Sequence, residues 1–231
     1  FVIKNRLVLL LILFAATGVM GFFAGKVKLG YEFAKAIPLD NPKYKEYRSF
    51  QQKFGDDGNV LVVGVQTDKF FTLSVFNAYS KLHRQLRQVQ YVEDVLSVPG
   101  AIALQKDPLT DKLIPVKIFP DSLSEHSMLD SASHVFKNLS FYKYKLYNPE
   151  EHAYLIAVRI NKEALNSVKR SKIIADITAV AKEFETATRI ETYVSGLPLI
   201  RTVVADRLQE EMRFFLIGSL VLVYVDYQKL Y

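Results

Sequence analysis

Residues Leu7 to Gly25 read LVLLLILFAATGVMGFFAG, nineteen positions without a charge. No other feature constrains the fold of this chain as strongly. At 1.5 Å of rise per residue the run makes a helix of about 28 Å, close to the hydrocarbon thickness of a bilayer. It is longer than the apolar core of a secretory signal, and Ala24-Gly25-Lys26 makes a poor cleavage site. The expectation is a retained anchor over residues 7–25, preceded by a short basic tip over 1–6. Lys4 and Arg6 stand before it and Lys26 and Lys28 after it, so the cations that orient a span are nearly balanced. A long domain is translocated whatever its charge, which favours a cytoplasmic N-terminus.

A second apolar run, Phe214 to Val225, is too short to cross a bilayer alone, and Asp226 interrupts it. It continues, without a helix breaker, a pattern that opens at Gly196-Leu197-Pro198. There Leu197, Ile200, Val204 and Leu208 recur at helical spacing and are expected to be buried, with Asp206, Arg207, Glu210, Glu211 and Arg213 on the wet side. One continuous helix over residues 198–225 would then lead from a water-facing domain into a second membrane span. The tail, 226–231, fits no pattern. A span should run roughly eight residues further, so the chain is expected either to stop inside it or to join segments not adjacent in the full protein.

The residues between, 26–197, read as one α+β domain. Asn41-Pro42 is a helix start, with Tyr44, Tyr47, Phe50 and Phe54 at helical spacing and Gly55 as the stop. Two β-α-β units follow, over about 59–98 and 152–195. In the first, the apolar run Asn59 to Gln66 is a strand. Thr72 or Ser74 caps a helix striped by Val75, Tyr79, Leu82, Leu86 and Val89, with Lys81, Arg84 and Arg87 off the stripe, and Tyr91 to Val98 is a second strand. In the second, His152 to Ile160 is a strand, Ser167 to Glu185 a helix striped by Ile173, Ile177, Val180 and Phe184, and Arg189 to Ser195 a strand. Two such units packed together make a ferredoxin-like split sheet with its helices on one face. Between them, Ala101 to Phe119 reads as a hairpin turning at residues 107–111. Ser122 and Glu125 have capping-box spacing ahead of a helix carrying Leu129, Ala132, Phe136 and Leu139.

Half of the residues are apolar and 23% are charged, which excludes a disordered chain. The net charge of +6 comes from cations interspersed with acidic residues, with no arginine-rich block, so nucleic acid is not an expected partner. There is no cysteine, which excludes disulfides and thiolate metal sites. No phosphate-cradling loop, nucleophile elbow or paired-histidine metal motif is present, and the reading is of a non-enzyme without a cofactor or metal. His126 and His134 could share a helix face but lack a third ligand, and all four histidines, His83 and His152 included, read as surface residues. The adjacent carboxylates Asp56-Asp57, Glu150-Glu151 and Glu210-Glu211 read as solvated, and Asn138-Leu139-Ser140 as a chance sequon. The stretch Phe141 to Tyr147 (FYKYKLY) has two readings. One is a surface for an amphipathic ligand, with aromatics as apolar contact and lysines for an anionic head. The favoured one is a strand or edge loop with aromatics inward and lysines outward.

The order of parts resembles the first membrane helix and first periplasmic porter region of the resistance-nodulation-division superfamily, most nearly its MmpL-type exporters of lipids and hydrophobic compounds. The residues that carry the resemblance are Phe54-Gly55 before NVLVVGV, then YVEDVLSVPG, Leu113-Ile114-Pro115, and Tyr193 to Pro198. It implies a multi-pass protein of the bacterial inner membrane with a periplasmic porter domain, driven by a proton or sodium gradient. The implied partners are the bilayer, a lipid-like substrate, the remaining membrane helices and second porter region, and an oligomeric or periplasmic partner. The ion relay of that superfamily lies in membrane helices that this chain does not contain, so no relay residue is assigned. The alternatives are the periplasmic domain of a two-span sensor, which would lead into a cytoplasmic signalling domain, and a structural membrane-anchored subunit.

Overall fold

Valine-rich and alternating segments pair here into one antiparallel sheet, because each presents a row of branched side chains to the same pair of helices. The computed structural model describes residues 6–24, 38, 40–54, 57–107, 111–121 and 123–230. The chain divides into two compact units, Phe1–Ala36 and Ile37–Tyr231.

The first unit holds helix α1 (Arg6–Ala24), 19 residues long, with its described side chains exposed. Among the described residues no helix is long and apolar enough to cross a membrane. Within α1, the side chains of Arg6, Leu9, Leu10 and Ala24 lie outside that description.

In the second unit, helix α2 (Pro42–Phe54) starts as expected: the Asn41 side-chain oxygen accepts the Lys43 amide at 2.9 Å. Only Tyr44 of its described aromatics is buried, and Tyr47 and Phe50 are exposed. Gly55, the expected stop, and Asp56 lie outside the described residues. Next come strand β1 (Val60–Gln66), helix α3 (Leu73–Gln88) and strand β2 (Val92–Leu96). A ribbon follows, β3 (Ile102–Lys106) with β4 (Leu113–Lys117), then α4 (His126–Asn138) and the short β5 (Tyr147–Asn148). The second repeat is β6 (Ala153–Ile160), a four-residue helix α5 (Lys162–Leu165), α6 (Arg170–Thr188) and β7 (Thr192–Ser195). Helix α7 (Leu197–Leu230) closes the chain with 34 residues.

The sheet order is β2-β6-β1-β7, and every pairing is antiparallel. The four expected strands therefore lie in one sheet, with the outer strand of each repeat at an edge. The register sets Val63 of β1 between Ile156 of β6 and Val194 of β7. On one face Leu61, Val63 and Val65 alternate into the core beside Ile156, Val158 and Ile160, under α3 and α6, which pack on each other. The opposite face is half-buried. A cluster of rings fills the core at the β5 end, where Phe70 stacks on Tyr154 at 3.6 Å and Phe76, Phe119 and Phe136 follow in a chain. Burial pushes the Tyr154 hydroxyl up to about 12 and the Tyr79 hydroxyl well above the ordinary tyrosine value, the charge of the other phenolates adding to each.

Several expected details differ. On α3 the buried stripe runs through Phe76 rather than Val75, which is half-buried, because the helix begins one residue after Thr72. The Thr72 hydroxyl donates to the Lys69 carbonyl and makes no side-chain cap. Helix α4 begins at His126 with Glu125 as its N-cap, so Glu125 does not occupy the third helical position that a capping box needs; Ser122 lies outside the described residues. The aromatic stretch 141–147 is a turn, and only Tyr147 joins a strand. Tyr142, Leu146 and Tyr147 point inward while Phe141 and Tyr144 stay exposed, so the inward packing is shared by half of its aromatics.

The largest correction concerns the start of α7. Leu197, Ile200, Val204 and Leu208, expected to be buried, are 39 to 54% exposed. The face turned to the domain instead carries Pro198, Thr202 and half-buried Leu199 and Ala205. Gly196 sets this rotation: its φ is +129°, and a Cβ there would stand 2.7 Å from the Val60 carbonyl oxygen. The tight turn lays α7 against the beginning of β1 on small residues, and the large apolar side chains project away. The expected continuity of the helix is present, and it extends through the tail to Leu230.

Candidate functional site

The cleft side of α3 carries Ser80, His83, Arg84 and Arg87 at i, i+3, i+4 and i+7, flanking the buried stripe of Phe76, Tyr79, Leu82 and Leu86. Beside this face lies the free edge of β2, since β2 pairs only with β6. The β3–β4 ribbon and the turn at 139–142 complete the walls of an open cleft of about 850 Å³. That size falls in the range of small-molecule sites. Most of the wall is apolar, supplied by Val95, Leu96, Ile102, Leu104, Leu139 and Phe141. Of these Leu96, Ile102, Leu104 and Phe141 keep 43 to 66% of their surface exposed.

The walls are tied together by specific bonds. The Tyr142 hydroxyl donates to the Ile102 carbonyl at 2.8 Å and accepts the Ile102 amide at 2.9 Å, which fixes the root of the ribbon to the 139–142 turn. At the ribbon's far end the Asp107 amide donates to the Lys112 carbonyl at 2.8 Å, as the expected hairpin requires, although residues 108–110 are outside the described residues. His83 is not a surface residue: it is half-buried, its Nδ1 lies 2.8 Å from the buried Ser97 hydroxyl, and its ring packs under Gly100. Burial lowers its pKa from the ordinary 6.5, the Arg87 and Arg84 charges and the more distant Lys117 lower it further, and Asp94 opposes them.

The charges of the cleft are unequally matched. Lys117 pairs with Asp121 at 2.7 Å, and the Arg159 guanidinium lies 3.6 Å from Asp94 while also approaching Glu93. Among the described residues neither Arg84 nor Arg87 has a carboxylate at ion-pair distance. The site therefore offers two guanidiniums outside any ion pair next to apolar walls, with Arg84 acting on Asp121 only through space. The hydroxyl that lies beside an imidazole here, Ser97 at His83, is fully buried, and among the described residues no cluster of three or more potential metal ligands occurs.

The other residues singled out from the sequence fall elsewhere. His126, His134 and His152 are exposed, and His134 lies 3.2 Å from the Asn138 amide nitrogen on its own helix. Glu150 and Glu151, and Glu210 and Glu211, are exposed, and Glu150 accepts the Tyr144 hydroxyl. From the aromatic-basic stretch only Phe141 and Tyr142 reach the cleft. Sequence reasoning placed Arg84 and Arg87 off the buried stripe of their helix and went no further. The signal available was the polar quartet at helical spacing, which shows a wet face but not what faces it. No protein-family model matches the chain, and no curated protein is similar enough to count as a relative.

Proposed function

We propose that the chain is the N-terminal portion of a gradient-driven, MmpL-like exporter of lipids or other hydrophobic compounds, of the resistance-nodulation-division type, in the bacterial inner membrane. The observation that carries this reading is an open, mainly apolar cleft in an α+β unit whose chain runs on as a 34-residue helix with an apolar second half. The charge-free run in α1 supports an anchor ahead of the domain, and its length matches a bilayer core. The strand order β2-β6-β1-β7, antiparallel throughout, supports a ferredoxin-like split β-α-β porter domain.

On this reading α7 is the mechanical link between porter domain and membrane. Pro198, Thr202 and Ala205 hold its base to the sheet, and the Ser171 hydroxyl donates to Asp206 at 3.3 Å from α6. The apolar residues Leu197, Ile200, Val204 and Leu208 stand free to meet the rest of the transporter. A rigid helix transmits a tilt, and a broken one absorbs it.

Two measurements test the reading in the intact protein. This chain has no cysteine, so with any cysteine outside it replaced, Ala179→Cys on the exposed side of α6 is a single label site. A membrane-impermeant maleimide is expected to label it in intact cells, and labelling only after lysis overturns the extracytoplasmic placement. In an export assay at matched membrane levels, Asp206→Pro removes a backbone donor in mid-helix, at about 3 kcal/mol or more locally, and is expected to export poorly. Asp206→Ala loses one exposed hydrogen bond and is expected to export nearly normally. Normal export by the Pro variant overturns the mechanical link.

A further inference from the structure

We propose that the cleft beside β2 binds a single-chain anionic amphiphile, a carboxylate or phosphate on a long alkyl chain, with its head on Arg84 and Arg87 and its chain along Leu96, Ile102, Leu104 and Phe141. This deepens the exporter reading by naming the ligand chemistry, and rests on it only for where the ligand goes.

Three observations converge on that occupant. First, exposed apolar side chains are ordinary when scattered, but here four of them line one concave wall. They come from β2, from β3 and from the turn after α4, so no single element's periodicity put them together. Second, both carboxylates of the cleft already have a cation, Asp121 with Lys117 and Asp94 with Arg159. The charge left outside an ion pair is therefore positive and sits on two guanidiniums one turn apart, of which Arg84 feels Asp121 only through space. A guanidinium presents a planar fork that matches a carboxylate or phosphate. Third, the third basic side chain on that face, His83, is bonded to Ser97 and packed under Gly100, which leaves it as wall rather than as a competing charge. A small polar anion would leave the apolar wall wet, and a neutral hydrocarbon would leave both arginines unanswered. An amphiphile with one charged end meets both halves of the site.

The chain contains no tryptophan, so Phe141→Trp introduces a single indole on the cleft wall, excited apart from the tyrosines. The full chain carrying F141W, in phosphatidylcholine nanodiscs, is titrated with 9,10-dibromostearate, whose bromines quench an indole on contact. Saturable quenching is expected. A second reporter, Val168→Trp on the exposed α5–α6 turn, is expected to show only the non-saturating quenching of fatty acid in solution and bilayer. Adding Arg84→Gln and Arg87→Gln to F141W, with the helical circular dichroism unchanged, is expected to weaken binding by about tenfold or more, as is replacing the acid by its methyl ester. Competition by dodecanoate or by dodecyl phosphate separates the two head groups, and competition by either is expected. Equal quenching of V168W, equal binding of the ester, no effect of the arginine pair, or competition by neither anion each overturns the proposal. Saturable binding together with failed export counts against the exporter reading alone; export without binding counts against this site alone.

Discussion

The two β-α-β repeats have the same order of elements and contribute equally to one sheet, yet the charges on their helices are arranged in opposite ways. On α6 the outward ions are matched: Lys172 with Asp176 at 2.8 Å, Lys182 with Glu185, and Glu183 with Lys81 of α3 at 2.8 Å. Hydrogen bonds from Lys81 and Gln85 hold the Glu183 carboxyl below its usual range. On α3 the cleft side carries Arg84 and Arg87 outside any ion pair. The outer strands differ in parallel. Beyond β7 the chain turns at once, at Gly196, into α7. Beyond β2 it builds a ribbon that stands away from the sheet and opens a cleft. One repeat supports α7 and the other borders the cleft, and the difference lies in what is attached to each edge rather than in the repeat itself.

That division can be broken from the support side with the largest effect. Gly196→Ala places a Cβ on the Val60 carbonyl and a non-glycine residue at φ +129°. A loss of about 3 kcal/mol is expected in urea unfolding of the full chain, from strain and the close contact together. A loss below about 1 kcal/mol means that the turn can relax and that the second repeat does not fix the base of α7. On the cleft side, Tyr142→Phe removes two hydrogen bonds to Ile102 and is expected to lose about 1–3 kcal/mol. The sharper readout is hydrogen exchange at the Ile102 amide, which should quicken while the amides of β1 and β6 stay protected. Uniform loss of protection would make the ribbon part of the core rather than an attachment.

A smaller effect separates the helices by pH. The folded-state pKa of His83 lies below the ordinary value, chiefly because of burial. Above pH 6.5 the ring is neutral both folded and unfolded and contributes nothing. As pH falls below 6.5 the unfolded chain takes up the proton first, so stability drops until the folded pKa is passed. Melting temperatures from pH 7.5 to 5 should therefore fall more for the wild type than for His83→Gln. Parallel curves would place the ring in water. The smallest effect is expected on α6: Lys172→Gln breaks an exposed i, i+4 pair and should shift stability by no more than about 0.5 kcal/mol. A larger loss would show that the matched ions of α6 are structural in a way their exposure does not suggest.

Much of the domain was legible from residue order. NVLVVGV, YVEDVLSV, HAYLIAVRI and RIETYVS each contain a strand, and the paired α3 and α6 follow stripes read from the sequence. Boundaries moved inward where the backbone leaves the extended region: Tyr91, His152 and Arg189, the first residues of three expected strands, all have positive φ, and they stand just before β2, just before β6 and at the end of α6. The short α5, capped by the Asn161 side chain accepting the Ala164 amide, was not read, because four residues are too few for a periodic signal. The cleft was legible only in part. Its arginines were seen to lie off a buried stripe, and Phe141 to be of unusual company, but nothing in residue order brings residues 84, 96, 104 and 141 to one surface.

By itself the sequence determined the charge-free run of residues 7–25, the α+β pattern with its two repeats, and the absence of thiol chemistry. Period and composition act over a few residues and need no long-range contact to be read. Tertiary structure alone decided which strands became edges, what stands beside them, and which side of α7 meets the domain. The last point shows the reason. Periodicity identifies the more apolar face of a helix, and on α7 that is Leu197, Ile200, Val204 and Leu208. The rotation was set instead by one backbone approach, Gly196 against Val60, which brings Pro198, Leu199, Thr202 and Ala205 beneath the helix and turns that apolar stripe out.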